Sequence, residues 1–293
     1  MNTSEKIIDF VNGKTTVLGL IGDPVSHTFS PQIHNTIAEA SGKNTVYVPF
    51  HVENDNLKSA IEGAAALSIA GLNVTVPHKK SVIPFLSAID PTAEKIGAVN
   101  TLKLTKNGYV GYNTDITGIT NTFKLKNYSP KGKTAAVIGA GGTANAAAFA
   151  LAEMGAKTIF IFNRTINLAK TLANSLKKHY DVDVSAKPLF DVNSLSSSNI
   201  FVQATSVGMN GDASPIALDK GIFENAEFIF DAIYSPWETA FLKEAKGHCK
   251  ICVNGFDMLI NQAIASYEIF TEASVSDYSF TKSLYFHQKQ KNV

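Results

Sequence analysis

An apolar run, Thr134-Ala135-Ala136-Val137-Ile138, passes directly into the glycine-rich turn Gly139-Ala140-Gly141-Gly142-Thr143-Ala144. The run predicts a strand, and the small and apolar residues of Gly142–Met154 predict the helix that follows. In such a turn the first glycine permits the tight bend and the second lets the backbone approach a pyrophosphate closely. The helix N-terminus then offers free amides and positive dipole to the anion. Ala144 takes the third glycine's place, which this fingerprint tolerates. Glycine-rich strand-to-helix turns also form for packing alone; the strand before and the helix after favour the dinucleotide reading.

The end of the next strand, Thr158–Asn163, adds discrimination. A site for NAD carries Asp or Glu there, where it binds the ribose 2′-hydroxyl. This chain has Asn163-Arg164-Thr165. A carboxylate would repel a 2′-phosphate, whereas a guanidinium and a hydroxyl bind one, so NADP is the expected cofactor. The alternative is a helix-capping Thr165 beside a solvated arginine.

On both sides of this segment, β-branched and aromatic runs alternate with helical patterns, which predicts α/β architecture with mainly parallel strands. Upstream, strands are expected at Thr15–Ile21, Thr45–His51 and Leu72–Val76. A hairpin follows, Val99–Leu104 and Tyr109–Asn113, turning at Lys106-Asn107-Gly108 with the positive φ that an Asn-Gly pair supplies. Ser30 is expected to cap the helix that opens at Pro31, and Gly42 to stop it. Downstream come helix Ile166–Lys178, strands Ile200–Ala204, Phe228–Ile233 and Ile251–Val253, and helix from Gly255 onward. The polar, turn-rich stretch Asn127–Lys133 marks a boundary. Two domains are expected: 1–126 completed by the returning helices of 255–293, and 127–254.

The composition agrees with two globular domains. The chain has 293 residues, 45% hydrophobic and 17% charged, with 26 basic against 25 acidic side chains. It can bury a real core, and its balanced charge lacks the footprint of a nucleic-acid binder. Its opening, MNTSEKIIDF, has no basic region leading into an apolar one, and no apolar run is long enough to span a membrane. A cytoplasmic protein, monomeric or homodimeric, without membrane or nucleic-acid partners is expected.

The upstream half carries polar residues at predicted strand ends, where open α/β sheets place ligands. Thr28 and Ser30 follow the first strand. Asn73, Thr75 and Lys79 run along and past the third. Asn100 opens the hairpin and Asn113-Thr114-Asp115 closes it. Hydroxyls, amides and charges with few aromatics suit a small polyhydroxylated anion. Taken singly each is also an ordinary cap, turn residue or solvated charge, and spacing alone does not show that they converge. Lys79 and Asp115 form the opposite-charge pair suited to proton transfer: an alkoxide left by hydride addition needs a proton, which a lysine ammonium donates.

At these residues the chain resembles the shikimate dehydrogenases along nearly its whole length. Ile21-Gly22-Asp23-Pro24-Val25-Ser26-His27-Thr28-Phe29-Ser30-Pro31 resembles the family's substrate loop, with Thr28 where a serine is usual. Asn73-Val74-Thr75-Val76-Pro77-His78-Lys79 resembles the catalytic-lysine strand, with His78 where Phe is usual. Gly97-Ala98-Val99-Asn100-Thr101 and Asn113-Thr114-Asp115 match the segments supplying the substrate-binding Asn and the catalytic Asp. The glycine turn and Asn163-Arg164-Thr165 resemble the NADP signature, but Leu168 stands where a second basic residue is common. Ala204-Thr205-Ser206-Val207-Gly208-Met209 and Asp231-Ala232-Ile233-Tyr234-Ser235-Pro236 match loops near nicotinamide and substrate. Asn254-Gly255-Phe256-Asp257-Met258 with Gln262 matches the closing segment.

The resemblance implies reversible reduction of 3-dehydroshikimate to shikimate with NADPH, a step of aromatic amino-acid biosynthesis. It implies a substrate domain, a Rossmann-type NADP domain, and a terminal helix returning to the first. Lys79 would move the proton, and Asp115 would hold Lys79 and a substrate hydroxyl. Thr28, Ser30, Asn73, Thr75, Asn100, Tyr234 and Gln262 would bind substrate. Gly139 to Ala144, Asn163 to Thr165, Thr205, Ser206, Val207, Gly255 and Met258 would bind cofactor. One rival is a quinate/shikimate dehydrogenase with relaxed substrate or cofactor choice. Another is a non-catalytic nucleotide- or shikimate-binding regulator, against which the presence of both Lys79 and Asp115 argues.

Cys249-Lys250-Ile251-Cys252 has redox or zinc spacing. As the start of a strand it would aim its cysteines to opposite faces, so packing is expected and no metal. His78 is expected at the rim of the site.

Overall fold

The computed structural model describes residues 11–209, 214, 216 and 221–291; Met1–Phe10, the stretch read for a leader, lies outside them. The chain packs into two compact units. One comprises residues 1–114 with 263–286, the other 115–262 with 287–293. These limits differ from the expected ones because helix 115–125 and residues 255–262 pack with the second unit.

In the first unit the strands are β1 (Thr16–Gly22), β2 (Thr45–His51), β3 (Gly71–Val74), β4 (Ala88–Ile89), β5 (Thr101–Thr105) and β6 (Gly108–Tyr112). They form one sheet in the order β2-β1-β3-β5-β6-β4. β1 lies between β2 and β3, parallel to both, whereas β5 runs antiparallel to β3 and β6. The sheet is therefore mixed rather than parallel throughout. Its helices are α1 (Ser30–Ala40), α2 (Leu57–Ala66), α3 (His78–Ser81) and α4 (Pro91–Ile96). Ile61, Leu72, Val74, Val82 and Leu102 fill the core on one side.

Two local expectations need correction. Ser30 is the first residue of α1, not its cap: Phe29 holds that position, and no side chain caps the helix. In the hairpin turn the positive φ expected of the Asn-Gly pair is supplied by Gly108 alone, and Asn107 does not share it.

The second unit begins with α5 (Asp115–Leu125). Its strands are β7 (Thr134–Ile138), β8 (Thr158–Phe162), β9 (Asp183–Lys187), β10 (Ile200–Gln203), β11 (Phe228–Asp231) and β12 (Ile251–Val253). Every pairing in the order β12-β11-β10-β7-β8-β9 is parallel, a doubly wound sheet. α6 (Gly142–Glu153), α7 (Ile166–His179), α8 (Val192–Ser196) and α9 (Ala240–Ala245) accompany it. Residues Ala144 to Ala152 of α6 are all buried, which small side chains make possible in a helix enclosed on several sides. Ile138, Phe162, Phe201, Phe223 and Phe241 build the core on one face.

The closing helix α10 (Phe256–Thr271) runs from one unit into the other, and α11 (Phe280–Lys291) follows. Glycine lets α10 come close at two places. A Cβ on Gly118 would stand 2.7 Å from the Met258 carbonyl oxygen, and one on Gly71 would stand 2.2 Å from the Phe270 ring. Among the described residues no helix is long and apolar enough to cross a membrane.

Candidate active site

Open α/β sheets bind ligands beyond strand C-termini where the chain leaves in opposite directions from neighbouring strands. In the first sheet that point lies between β1 and β3. The loops leaving them are laced together: Thr75 N–H donates to Ile21 O and Asp23 N–H to Val76 O, both at 3.0 Å. A Cβ on Gly22 would stand 2.3 Å from Thr75 Cγ2, so glycine is required for this approach. The first loop carries Thr28 and Ser30, the second Thr75 and Lys79.

Ser30, freed from capping, joins a chain of polar side chains. Thr28 Oγ1 donates to Ser30 Oγ at 3.2 Å, and Ser30 hydrogen-bonds Tyr47, whose hydroxyl donates to Asn73 Oδ1 at 2.8 Å. Burial holds the Tyr47 phenol well above its ordinary pKa, so it remains a neutral donor. Asn73 Nδ2 donates to Asn100 O (3.1 Å), Thr101 Oγ1 (3.1 Å) and Ser266 Oγ (2.9 Å). Asn73 thus turns its whole amide toward the protein and braces its neighbours. Tyr47 reads in the sequence as a core aromatic of an alternating strand; nothing there marks its hydroxyl, nor that of Ser266.

Lys79 lies half-buried in α3, with its carbonyl accepting from Val99 N–H at 2.8 Å. This bond ties the lysine turn to the segment that carries Asn100. His78 is fully buried rather than at the rim, and its Nε2 meets Val52 O at 2.6 Å. A backbone carbonyl only accepts, so Nε2 carries the proton. The side chain anchors the turn from below. Thr75 is half-buried and Asn100 buried. At the hairpin's end, Asn113 Nδ2 donates to Ala98 O at 2.8 Å.

In the second unit the direction change falls between β7 and β10, and the glycine turn lies there. Gly139 has φ +119°, and a Cβ on it would stand 2.9 Å from Ala204 O. A Cβ on Gly141 would meet nothing within 4 Å, and no side chain caps α6. An open approach to an uncapped helix N-terminus suits a pyrophosphate. Ala140 and Ala144 are buried behind the turn, while Gly142 and Thr143 are half-buried. After β8, Asn163 Nδ2 closes a turn onto Thr165 O at 2.9 Å. Thr165 sits at the N-cap of α7 but makes no capping bond. Arg164 is exposed and makes no ion pair among the described residues. These groups fit a 2′-phosphate. Leu168 is 54% exposed, so nothing compensates there for the missing second cation.

Two buried polar groups brace the loops after β10 and β11. Gln203 accepts from Thr205 N–H at 2.5 Å and donates to Val207 O at 3.2 Å and Asp231 Oδ1 at 3.3 Å. Asp231 also accepts from Ile233 N–H (3.0 Å) and the Thr239 hydroxyl (2.5 Å). Burial outweighs these donors and raises the Asp231 pKa to about 6. Ser206 and Val207 are exposed, and Tyr234 is half-buried. Gly255 is needed for packing: a Cβ there would stand 2.1 Å from Ala232 O. Met258 and Gln262 are buried, Gln262 donating to Leu259 O at 2.8 Å. Asp115, at the first turn of α5, is buried.

The cysteine expectation changes. β12 starts at Ile251, so Cys249 lies outside it and its thiol reaches the Cys252 thiol. Among the described residues no group of His, Cys, Asp and Glu could hold a metal.

A doubly wound sheet with an anion-cradling turn at its switch point, in a chain whose other sheet is edged with hydroxyls, amides and a lysine, defines a dinucleotide-dependent oxidoreductase. Residues 20–102 match the shikimate dehydrogenase substrate-binding domain, and residues 123–210 match the shikimate/quinate 5-dehydrogenase domain. A shikimate dehydrogenase (NADP(+)) of Caldanaerobacter subterraneus subsp. tengcongensis is 40% identical over 262 residues, 89% of this chain and 93% of that one. A crystal structure of a shikimate dehydrogenase with NADP+ superposes with a TM-score of 0.86 at 38% identity, covering 97% of this chain and 98% of the other. A shikimate 5-dehydrogenase of Listeria monocytogenes, solved with shikimate and NAD, gives 0.85 at 29% identity over 94% and 98%. The chain belongs to the shikimate dehydrogenase family.

Proposed function

We propose that this chain interconverts 3-dehydroshikimate and shikimate with NADP as its redox cofactor. The observation that carries the reading is family membership along nearly the whole chain, with Lys79 inside the matched substrate-binding domain. NADP, when bound, exchanges a hydride with the substrate carbon. The uncapped start of α6 receives the pyrophosphate, and Arg164 and Thr165 hold the 2′-phosphate. Thr28 and Ser30 donate to the substrate carboxylate. Asn100 and Thr75 orient the ring hydroxyls, and Asp115 accepts a hydrogen bond from one of them. Lys79 Nζ gives a proton to the developing alkoxide in reduction and takes it back in oxidation. Tyr234 and Gln262 complete the substrate contacts; Thr205, Ser206 and Val207 flank the nicotinamide.

The exposed Leu168 favours one further reading, a relaxed cofactor choice, with quinate as a second substrate. A matrix of shikimate and quinate, each with NADP and NAD, tests both. Turnover is expected to be greatest with shikimate and NADP. No turnover of shikimate with either cofactor would overturn the assignment.

A further inference from the structure

The chain holds two cysteines in all, Cys249 and Cys252, and both are free thiols. They stand at the two ends of a bend, Cys249-Lys250-Ile251-Cys252, which leads from α9 into β12. Cys249 is anchored from behind, its N–H donating to Ala245 O at 2.9 Å. Cys252 is anchored ahead, on the edge strand β12, where it pairs with Ile229 of β11. Both side chains fold back on the bend. The Cys249 thiol donates to Ile251 O and the Cys252 thiol to Cys249 O, each at 3.5 Å. The two sulfurs thus lie against one short stretch of chain, and the thiols hydrogen-bond each other.

That contact makes the pair unequal. The Cys252 S–H donates to the Cys249 sulfur and favours a thiolate there. The Cys249 pKa falls from 9.0 to about 7, although burial and the Glu227 carboxylate oppose the shift. Cys252 moves the other way, because its proton is held in the contact and burial adds to the effect, against the opposing Lys246 ammonium. A thiolate beside a thiol that keeps its proton is the arrangement of an attacking and a resolving sulfur. Cys249 is 8% exposed and Cys252 half-buried, so the oxidant suited to them is a small one. Among the described residues no third ligand joins them to hold a metal.

We propose that Cys249 and Cys252 are a redox-active dithiol, a modification site which a small hydroperoxide converts to an intrachain disulfide. The Cys249 thiolate attacks a peroxide oxygen, the O–O bond breaks, and hydroxide leaves with the electron pair. The product is a sulfenic acid on Cys249. The Cys252 sulfur then attacks the Cys249 sulfur: the S–S bond forms, the S–O bond breaks, and the Cys252 proton leaves with the oxygen as water. The two thiols give up two electrons in all, and the peroxide takes them. A dithiol reductant reverses the change by thiol–disulfide exchange.

The test exposes the folded full chain to hydrogen peroxide at pH 7 with a chelator present, and counts thiols in denaturant after catalase has removed the peroxide. With two cysteines in the chain, the count reads the site directly. Both thiols should disappear together and return with dithiothreitol. Trypsin cuts after Lys250, so the peptides on either side should stay joined until reduction. Cys252→Ser should stop at a sulfenic acid that dimedone traps. Cys249→Ser should lose its remaining thiol roughly tenfold more slowly, since at pH 7 a thiol of pKa near 7 is about half ionised and an ordinary one only a few per cent. Retention of both thiols, loss of one alone, a disulfide between two chains, or tryptic peptides that separate without reductant would each overturn the proposal. Equal rates in the two serine variants would remove Cys249 as the attacking sulfur, and the proposal with it.

Discussion

The His34 imidazole lies flat against the Tyr47 ring, centroids 4.0 Å apart and planes 3° from parallel. Neither ring nitrogen has a hydrogen-bond partner among the described residues, and burial lowers the His34 pKa from 6.5 to about 3. The ring therefore acts as an apolar plate behind the phenol that donates to Asn73. Folding must keep it neutral.

That requirement sets a pH dependence. The unfolded chain protonates His34 near 6.5, the folded chain only near 3. Below 6.5 the unfolded state binds more protons, so stability is full above that pH and falls as acid is added. The slope from this group approaches about 1.4 kcal/mol per pH unit in between. Denaturant titrations at pH 7.5, 6.0 and 5.0 should show the loss, and His34→Phe should flatten it. An identical acid slope in the variant would place the sensitive group elsewhere.

Lys79→Ala should lower kcat by roughly 10²–10⁴-fold, the usual worth of a positioned proton donor. The melting temperature and NADP affinity should stay near those of the parent, because the α3 backbone bonds and the His78 anchor do not involve the ammonium. Near-parental turnover would move the proton to another group, Asp115 first.

Arg164→Ala should raise the KM for NADP tenfold or more, as loss of a charge-assisted bond of about 1.5–3 kcal/mol implies, with little change for NAD. Equal effects on both cofactors would show that Arg164 does not read the phosphate.

Ser30→Ala and Thr28→Val should each weaken shikimate binding by roughly 1–3 kcal/mol, since a charged acceptor loses a donor. Ser30 does not cap α1 but hydrogen-bonds the buried Tyr47, so its removal should also lower the ligand-free melting temperature. Titrating shikimate against melting temperature separates the two effects. Unchanged affinity in both variants would remove the carboxylate site from this loop. Thr28→Ser should relax discrimination against quinate if the extra methyl narrows that corner.

The strands and helices legible in the sequence were those with strong periodic patterns: β2 and β12 match their expected limits, and α6 and α7 end within one residue of theirs. β9 was not expected, because Asp183-Val184-Ser185-Ala186-Lys187 is an edge strand paired on one side only and carries little apolar signal. α5 was not expected either. Its threonines, isoleucines and Gly118 are poor helix formers, and the close approach of α10 at Gly118 is a tertiary effect. The candidate site divides in the same way. Motifs mark Thr28, Lys79, Asn100 and the glycine turn, whereas the Asn73–Ser266 bond joins residues 193 positions apart, and no local pattern announces it. His78 was misplaced because a polar residue beside a lysine suggests solvent, whereas the Val52 carbonyl supplies a buried partner.

Because α10 is divided between the units, synthesis of this protein on the ribosome has a waiting period. The first unit lacks Ser266 and Phe270 when residue 114 emerges, and about 150 further residues must be translated before they appear. At roughly 5–20 residues per second that is on the order of ten seconds. During that time Gly71 has no Phe270 ring against it, and the hydroxyls of Thr101 and Thr114 lack Ser266. The nascent first sheet is thus left with an open face, the interval in which a chaperone or a neighbouring nascent chain would meet it.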